Sequence, residues 1–204
     1  MKIYGSVVSP FVRMTLVAGH ECGIGDRIEH LPADASPTAV NPSLTARNPI
    51  GKIPVLETDH HHPIYDSRVI IEYLAHVAGN ETLIPDDGVK RFRVLTLQAL
   101  GQGLGDAAVA YRYETATRPK ELQWKEFVGR SEARFNAIFD DLEKNWTAEF
   151  NDVTAGTISV ACVLSYMAYR MPHIAWAQNR PALAAFHKKF SNRDSMVKTA
   201  LPAS

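Results

Sequence analysis

The sequence predicts an α/β unit of order β-α-β-α-β-β-α followed by an all-helical region. Three observations predict it. Over about 78 residues the hydrophobic period switches repeatedly between that of a strand and that of a helix. The stretch 79–88 then collects Gly79, Asn80, Pro85, Asp86, Asp87 and Gly88, the composition of a linker. Beyond it only helical patterns recur, with no convincing strand.

Taken in order, Lys2–Tyr4 reads as a strand. Ser9 is a favoured N-cap and Pro10 suits the first helical position, so a helix is expected from Pro10 to about Cys22. Its apolar positions are Phe11, Met14, Leu16, Val17 and Ala18, and Gly23 and Gly25 stop it. Arg27–Leu31 alternates as a second strand. A weak helix is expected around Thr38–Arg47. Ile53–Glu57 and Pro63–Tyr65 flank a polar turn and read as a hairpin. Ser67 then caps a helix to Val77 through Val69, Ile70, Tyr73 and Leu74. After the linker, helices are expected over Val89–Ala116, Lys120–Trp146, Thr157–Arg170, Pro181–Phe190 and Asp194–Lys198.

Composition excludes several function classes. A hydrophobic share of 46% with 22% charged residues is that of a globular chain able to bury a core. The formal net charge is zero and the Lys and Arg residues are dispersed, which argues against nucleic acid as main partner. No apolar run approaches the roughly 18 residues of a membrane span, and no signal-peptide pattern opens the chain. The two cysteines, Cys22 and Cys162, match no metal spacing, so a cytoplasmic location with reduced thiols is expected.

Three short motifs carry chemistry. Ser9-Pro10-Phe11-Val12-Arg13 puts a hydroxyl at the positive end of a helix, where anions and thiolates are stabilised. The chain supplies no thiol there, so a ligand's thiol is the question. Asn48-Pro49-Ile50-Gly51-Lys52-Ile53-Pro54-Val55-Leu56 places a proline at the start of a strand. A cis bond there would turn the Ile53 main chain outward to pair a peptide-like ligand. Asp66-Ser67 opens a helix whose N–H groups suit a carboxylate while Asp66 pairs an ammonium, together matching an α-amino-acid head group. Each alone also reads as an ordinary cap or turn.

In this order and spacing the three motifs are specific. The chain resembles the glutathione S-transferase superfamily over essentially its whole length, and is most similar to bacterial members of the YibF-like kind. Those carry SPFVR, NPxGKxPVL, DS and ACxxxYxxxR stretches, the last here running from Ala161-Cys162 through Tyr166 to Arg170, with Arg180-Pro181-Ala182-Leu183 continuing the match. The resemblance implies a thioredoxin-like glutathione-binding unit over 1–78, a linker over 79–88 and an all-helical unit over 89–204. It implies glutathione as co-substrate, no metal, and a homodimer.

The resemblance also implies roles. Ser9, or Ser6 in the same turn, would donate to the glutathione sulfur; Ser9 is preferred because it immediately precedes Pro10. Phe11, Lys52, Ile53, Pro54, Asp66 and Ser67 would bind glutathione, Ile53 pairing the cysteinyl unit and Lys52 reaching the glycine carboxylate, with Arg13 a fainter candidate. Leu104, Tyr111 and Tyr166 would line the pocket for a small hydrophobic electrophile, alongside Asp106, Arg112, Tyr113, Tyr169 and Arg170. Ser in place of Cys at position 9 favours transferase or peroxidase chemistry over disulfide exchange. The alternative is a catalytically weak glutathione-binding protein acting in stress or interaction.

Two departures stand out. The capping box expected to open the 157–170 helix would be Thr157-Ile158-Ser159-Val160, with Val where the family has Asp, leaving Thr157 or Thr154 to cap alone. His60-His61-His62 falls at the hairpin tip, where adjacent side chains diverge, and reads as a polar turn rather than a metal site.

Overall fold

The computed structural model describes residues 1–203. Four short strands form one mixed sheet: β1 (Lys2–Tyr4), β2 (Glu29–Leu31), β3 (Val55–Glu57) and β4 (Pro63–Ile64), in the order β2-β1-β3-β4. β1 runs parallel to β2 with Ile3 opposite His30, and antiparallel to β3 with Ile3 opposite Leu56. The helices α1 (Pro10–Glu21), α2 (Pro42–Thr45) and α3 (Ser67–Ala78) complete the βαβαββα unit. Five more follow: α4 (Gly88–Arg112), α5 (Lys125–Asn145), α6 (Ala155–Arg170), α7 (Pro181–Ser191) and α8 (Asp194–Lys198). The fold is thus a thioredoxin-like sheet unit plus an all-helical region.

Helix α1 is apolar on two sides and is used on both. Val12 and Leu16 enter the sheet-side cluster with Ile3, Leu56, Ile70 and Leu74. Met14, Val17 and Ala18 enter the larger cluster with Leu104, Phe135, Val160 and Leu164 of the helical region. Burying a side chain of this size is worth about 1.5–3 kcal/mol.

The element ends differ from expectation for local reasons. Asp66, not Ser67, is the N-cap of α3, its Oδ1 accepting from the Arg68 N–H at 3.0 Å. The helical pattern read from Val89 to Ala116 stops at Arg112, where the chain widens into a π turn over Tyr113–Thr117. Lys120–Leu122 is a separate 3₁₀ turn, so α5 starts at Lys125. The box at the start of α6 lies one turn earlier than expected and is intact. Thr154 is the N-cap, the Thr157 N–H donates to its Oγ1 at 3.3 Å, and the Thr154 N–H donates to the Thr157 hydroxyl at 2.9 Å. Threonine thus does the work of the family's Asp.

The stretch after α3 is tied down. Gly79 caps the helix at φ 62°, a conformation that suits glycine. Leu83 and Ile84 are buried, and the Leu83 carbonyl accepts from the Ala155 N–H at 2.9 Å.

Helices α4 and α6 cross closely. A Cβ added at Gly101 would stand 2.9 Å from the Val160 backbone nitrogen, whereas one at Gly103 would meet nothing within 4 Å. Helix propensity favours Ala over Gly by about 1 kcal/mol, while overpacking costs about 1–3 kcal/mol. Gly101→Ala is therefore expected to lower the denaturation midpoint and Gly103→Ala to raise it. Equal shifts would contradict the packing described.

His187 lies in the seam between α6 and α7, its Nε2 2.9 Å from the Ser165 hydroxyl. Burial, with the Arg13 charge adding, pushes its imidazole down to about 4. In the unfolded chain it titrates near 6.5. Between these values the unfolded state binds more protons, so stability falls as pH falls, by roughly 3 kcal/mol at the limit. Denaturant midpoints measured from pH 7 to 4 are expected to drop steeply in the wild type and less in His187→Gln.

Candidate active site

A groove of about 770 Å³ runs between the sheet unit and the helical region. One wall carries Ser6, Ser9, Pro10, Phe11, Lys52, Ile53, Pro54, Asp66 and Ser67. The three motifs, far apart in sequence, therefore converge on one space. The loop after β2 adds Asp34, Ala35, Ser36 and Pro37.

Local chemistry positions each group. Ser9 is the N-cap residue of α1, yet its side chain makes no capping bond, which leaves the hydroxyl available to the groove. Ser6 is engaged locally, its Oγ accepting a long bond of 3.4 Å from the Val8 N–H. The Ile53–Pro54 peptide bond is cis. Asn48 fixes the approach to it: its side-chain amide donates to the Lys52 carbonyl at 2.8 Å, and its Oδ1 accepts from the Ile50 N–H at 3.0 Å.

At the far end, Arg68 donates to Asp66 Oδ2 at 3.0 Å. Burial raises the Asp66 carboxyl, but the guanidinium and backbone N–H groups outweigh it and hold the group below its ordinary value. Ser67 is buried and shares its hydroxyl with Gln102 of α4, whose amide donates to it at 3.1 Å and accepts from it at 3.2 Å. The same amide donates to Met14 Sδ at 3.2 Å. One buried amide thus joins α3, α1 and α4.

The opposite wall comes from α4 and α6, but not by every residue expected. Tyr166 lines the groove. Leu104 is fully buried in the helical core, and Tyr111 points to α5, its hydroxyl donating to Glu132 at 2.9 Å and its ring meeting Phe135 edge-on at 5.5 Å. Their angular positions on α4 explain this: Gln102, Asp106, Val109 and Ala110 share the groove face, continued by Tyr113 in the π turn, while Leu104, Ala108 and Tyr111 lie on the core side. Arg112, Thr117 and Arg170 also reach the groove. Gln102 and Arg68 had no sequence signal, since a helical Gln or Arg ordinarily reads as a solvated surface residue. Burial raises the Asp106 carboxyl, opposed by Lys52 and Arg68.

Other candidates lie elsewhere. Arg13, in α1, is buried, is not among the groove's lining residues, and donates to the Met196 carbonyl at 3.1 Å. Tyr4 is half-buried, donating to Glu57 at 3.3 Å beneath the Arg47 guanidinium. His60, His61 and His62 are exposed between β3 and β4, with His61 Nδ1 3.2 Å from Glu57. Burial pushes the Cys22 thiol up to about 11 and Cys162 to about 12. No helix is long and apolar enough to cross a membrane among the described residues.

Comparison with known proteins agrees with this geometry. The model of the glutathione S-transferase N-terminal domain matches residues 8–77. The "Uncharacterized GST-like protein YibF" of Escherichia coli (strain K12) is 31% identical over 206 residues, 99% of either chain. A crystal structure of a glutathione transferase family member from Pseudomonas fluorescens Pf-5 with bound glutathione is 38% identical. It superposes with a TM-score of 0.96 over 99% of both chains. A second structure from that source, with bound S-(propanoic acid)-glutathione, is 37% identical with a TM-score of 0.90 over the whole of both chains. Matched nearly end to end in sequence and in fold, the chain belongs to the glutathione S-transferase family.

Proposed function

We propose that the groove binds glutathione and that the protein is a glutathione transferase in which Ser9 activates the sulfur. The observation that carries this reading is the uncommitted Ser9 hydroxyl at the N-terminus of α1, in the same groove as Ile53, Pro54, Asp66 and Ser67. In this reading the Ile53 main chain pairs the cysteinyl unit. Asp66 and the first turn of α3 take the γ-glutamyl head group. The Asp66 carboxylate can accept about four hydrogen bonds and uses two on Arg68, which leaves room for an ammonium. Lys52 serves the glycine carboxylate, and Phe11 supplies apolar contact beside the sulfur. Tyr166 stands in the wall of the second substrate's pocket. The relative that holds an S-substituted glutathione supports a groove with space beyond the sulfur.

The energetics are adequate. A free thiol near pKa 8.5 needs about 2.7 kcal/mol to drop by about 2 units. A hydrogen bond to a charged acceptor supplies about 1.5–3 kcal/mol and a helix N-terminus about 0.3–1 kcal/mol more. The thiol proton leaves to water. The thiolate, held in place by the groove, then forms a carbon–sulfur bond as the leaving group departs with its electron pair, or attacks a peroxide oxygen, releasing alkoxide and a sulfenic acid that a second glutathione converts to disulfide and water. Cytoplasmic residence and pairing with a second copy belong to the same reading.

Retention on immobilised glutathione is expected. The ultraviolet absorbance of the bound thiolate should titrate with a midpoint well below that of free glutathione. Ser9→Ala should return the midpoint towards the free value and cut turnover about tenfold or more, with Ser6→Ala close to wild type. An unchanged midpoint in Ser9→Ala would overturn the assignment. Retention with no depressed midpoint would make the protein a glutathione binder without activation. Sedimentation should give twice the chain mass, and Phe92→Glu, at an exposed apolar position of α4, should shift it towards the monomer.

A further inference from the structure

The charges of the helical wall speak to the second substrate. Four cations line the groove: Lys52, Arg68, Arg112 and Arg170. Arg68 is in contact with an anion, and Lys52, in no ion pair, acts on one nearby. Arg68 is paired with Asp66 at 3.0 Å, and Asp106 feels both Lys52 and Arg68. Among the described residues, neither Arg112 nor Arg170 forms an ion pair with any carboxylate. Arg170 lies over the neighbouring Tyr169 ring, its guanidinium carbon 4.9 Å from the centroid.

The two guanidiniums end different helices, Arg112 closing α4 and Arg170 closing α6. A helix C-terminus favours a cation, which accounts for their presence at these ends. It does not account for both of them lining one groove with Tyr166. Both charges act on the hydroxyl of Tyr166, which is only 6% exposed and lies in the same wall. Burial pushes that phenol up to about 12, against the pull of Arg170 and Arg112, so it remains a donor. This part of the wall therefore offers two planar guanidinium forks, neither in an ion pair, with the hydroxyls of Tyr166 and Tyr113 beside them. Guanidinium geometry matches a carboxylate. A partly enclosed groove makes the attraction stronger than on open surface.

We propose that the electrophile bears a carboxylate, held by Arg112 and Arg170 with the Tyr166 hydroxyl, rather than being purely hydrophobic. The proposal rests on the reading above, with glutathione in the groove and its sulfur at Ser9. For a 2-haloacid the step balances simply. The thiolate lone pair forms the carbon–sulfur bond, the carbon–halogen pair leaves as halide, and the thiol proton has already gone to water. The carboxylate is unchanged and serves only to orient the reacting carbon.

Iodoacetate and iodoacetamide test this, being alike in size and leaving group but different in charge. The ratio of catalysed to uncatalysed rate is expected to be about tenfold or more higher for the acid. That preference should collapse in Arg112→Gln and Arg170→Gln and be largely kept in Arg170→Lys. Calorimetry with the two finished conjugates, S-carboxymethyl- and S-carbamoylmethyl-glutathione, reads the same preference without turnover, and circular dichroism reports whether each variant is folded. If glutathione itself does not bind, the underlying reading fails and this one with it. If glutathione binds but the two conjugates bind equally, only the carboxylate proposal falls. If the Arg variants weaken plain glutathione as much as its acid conjugate, these arginines hold the tripeptide's own glycyl carboxylate, and the proposal is again overturned.

Discussion

The two-sided burial of α1 is the constraint on which the rest of the structure depends. A helix with one apolar face can rotate or slide when its partner shifts. This one is held by Val12 and Leu16 against the sheet and by Met14, Val17 and Ala18 against the helical region. Its register is therefore fixed from both directions, and so is the position of its first turn. Ser9 and Pro10 emerge at the seam where the groove opens. The site inherits its precision from core packing rather than from the loop that precedes it.

Polar contacts across the seam add direction to that packing. Gln102 reaches from α4 to the Ser67 hydroxyl and to Met14 Sδ, so α3, which opens into the groove at Ser67, is keyed to the helix that bears Ser9. The Ser159 hydroxyl also approaches Met14 Sδ, at 3.7 Å, while donating to the Ala155 carbonyl. A buried amide with its partners in place specifies a single arrangement, because any sliding would strand its hydrogen bonds. The close α4–α6 crossing at Gly101 acts in the same sense, since helices this near cannot shift without collision.

Much of this was legible in the sequence. Periodicity and punctuation placed every strand and nearly every helix, since two apolar clusters on one chain demand those faces. The misread ends were turns of different pitch: the π turn over Tyr113–Thr117 and the 3₁₀ turn over Lys120–Leu122 continue a helical pattern without being α-helix. The motif residues Ser9, Ile53, Pro54, Asp66 and Ser67 were readable because each has a local reason to stand where it does. The far wall was not, because facing on a long helix depends on its partner. Leu104 and Tyr111 went to the core and α5, whereas Gln102, ordinary in sequence, is buried beside the groove, and Arg68 lines it while staying exposed. The Thr154–Thr157 box was hidden because a threonine stands where an acid was sought.

The two cysteines bear on a hazard that follows from the proposed chemistry. A protein that holds an alkylating agent beside a reactive sulfur exposes its own thiols to the same reagent. Burial leaves Cys22, with its thiol near 11, ionised at neutral pH to only about one part in ten thousand. Cys162 is fully enclosed and ionised less still. Position 9 holds oxygen rather than sulfur. In the proposed reaction the nucleophilic sulfur in the groove belongs to a molecule that departs with the product, and the protein's own thiols take no part.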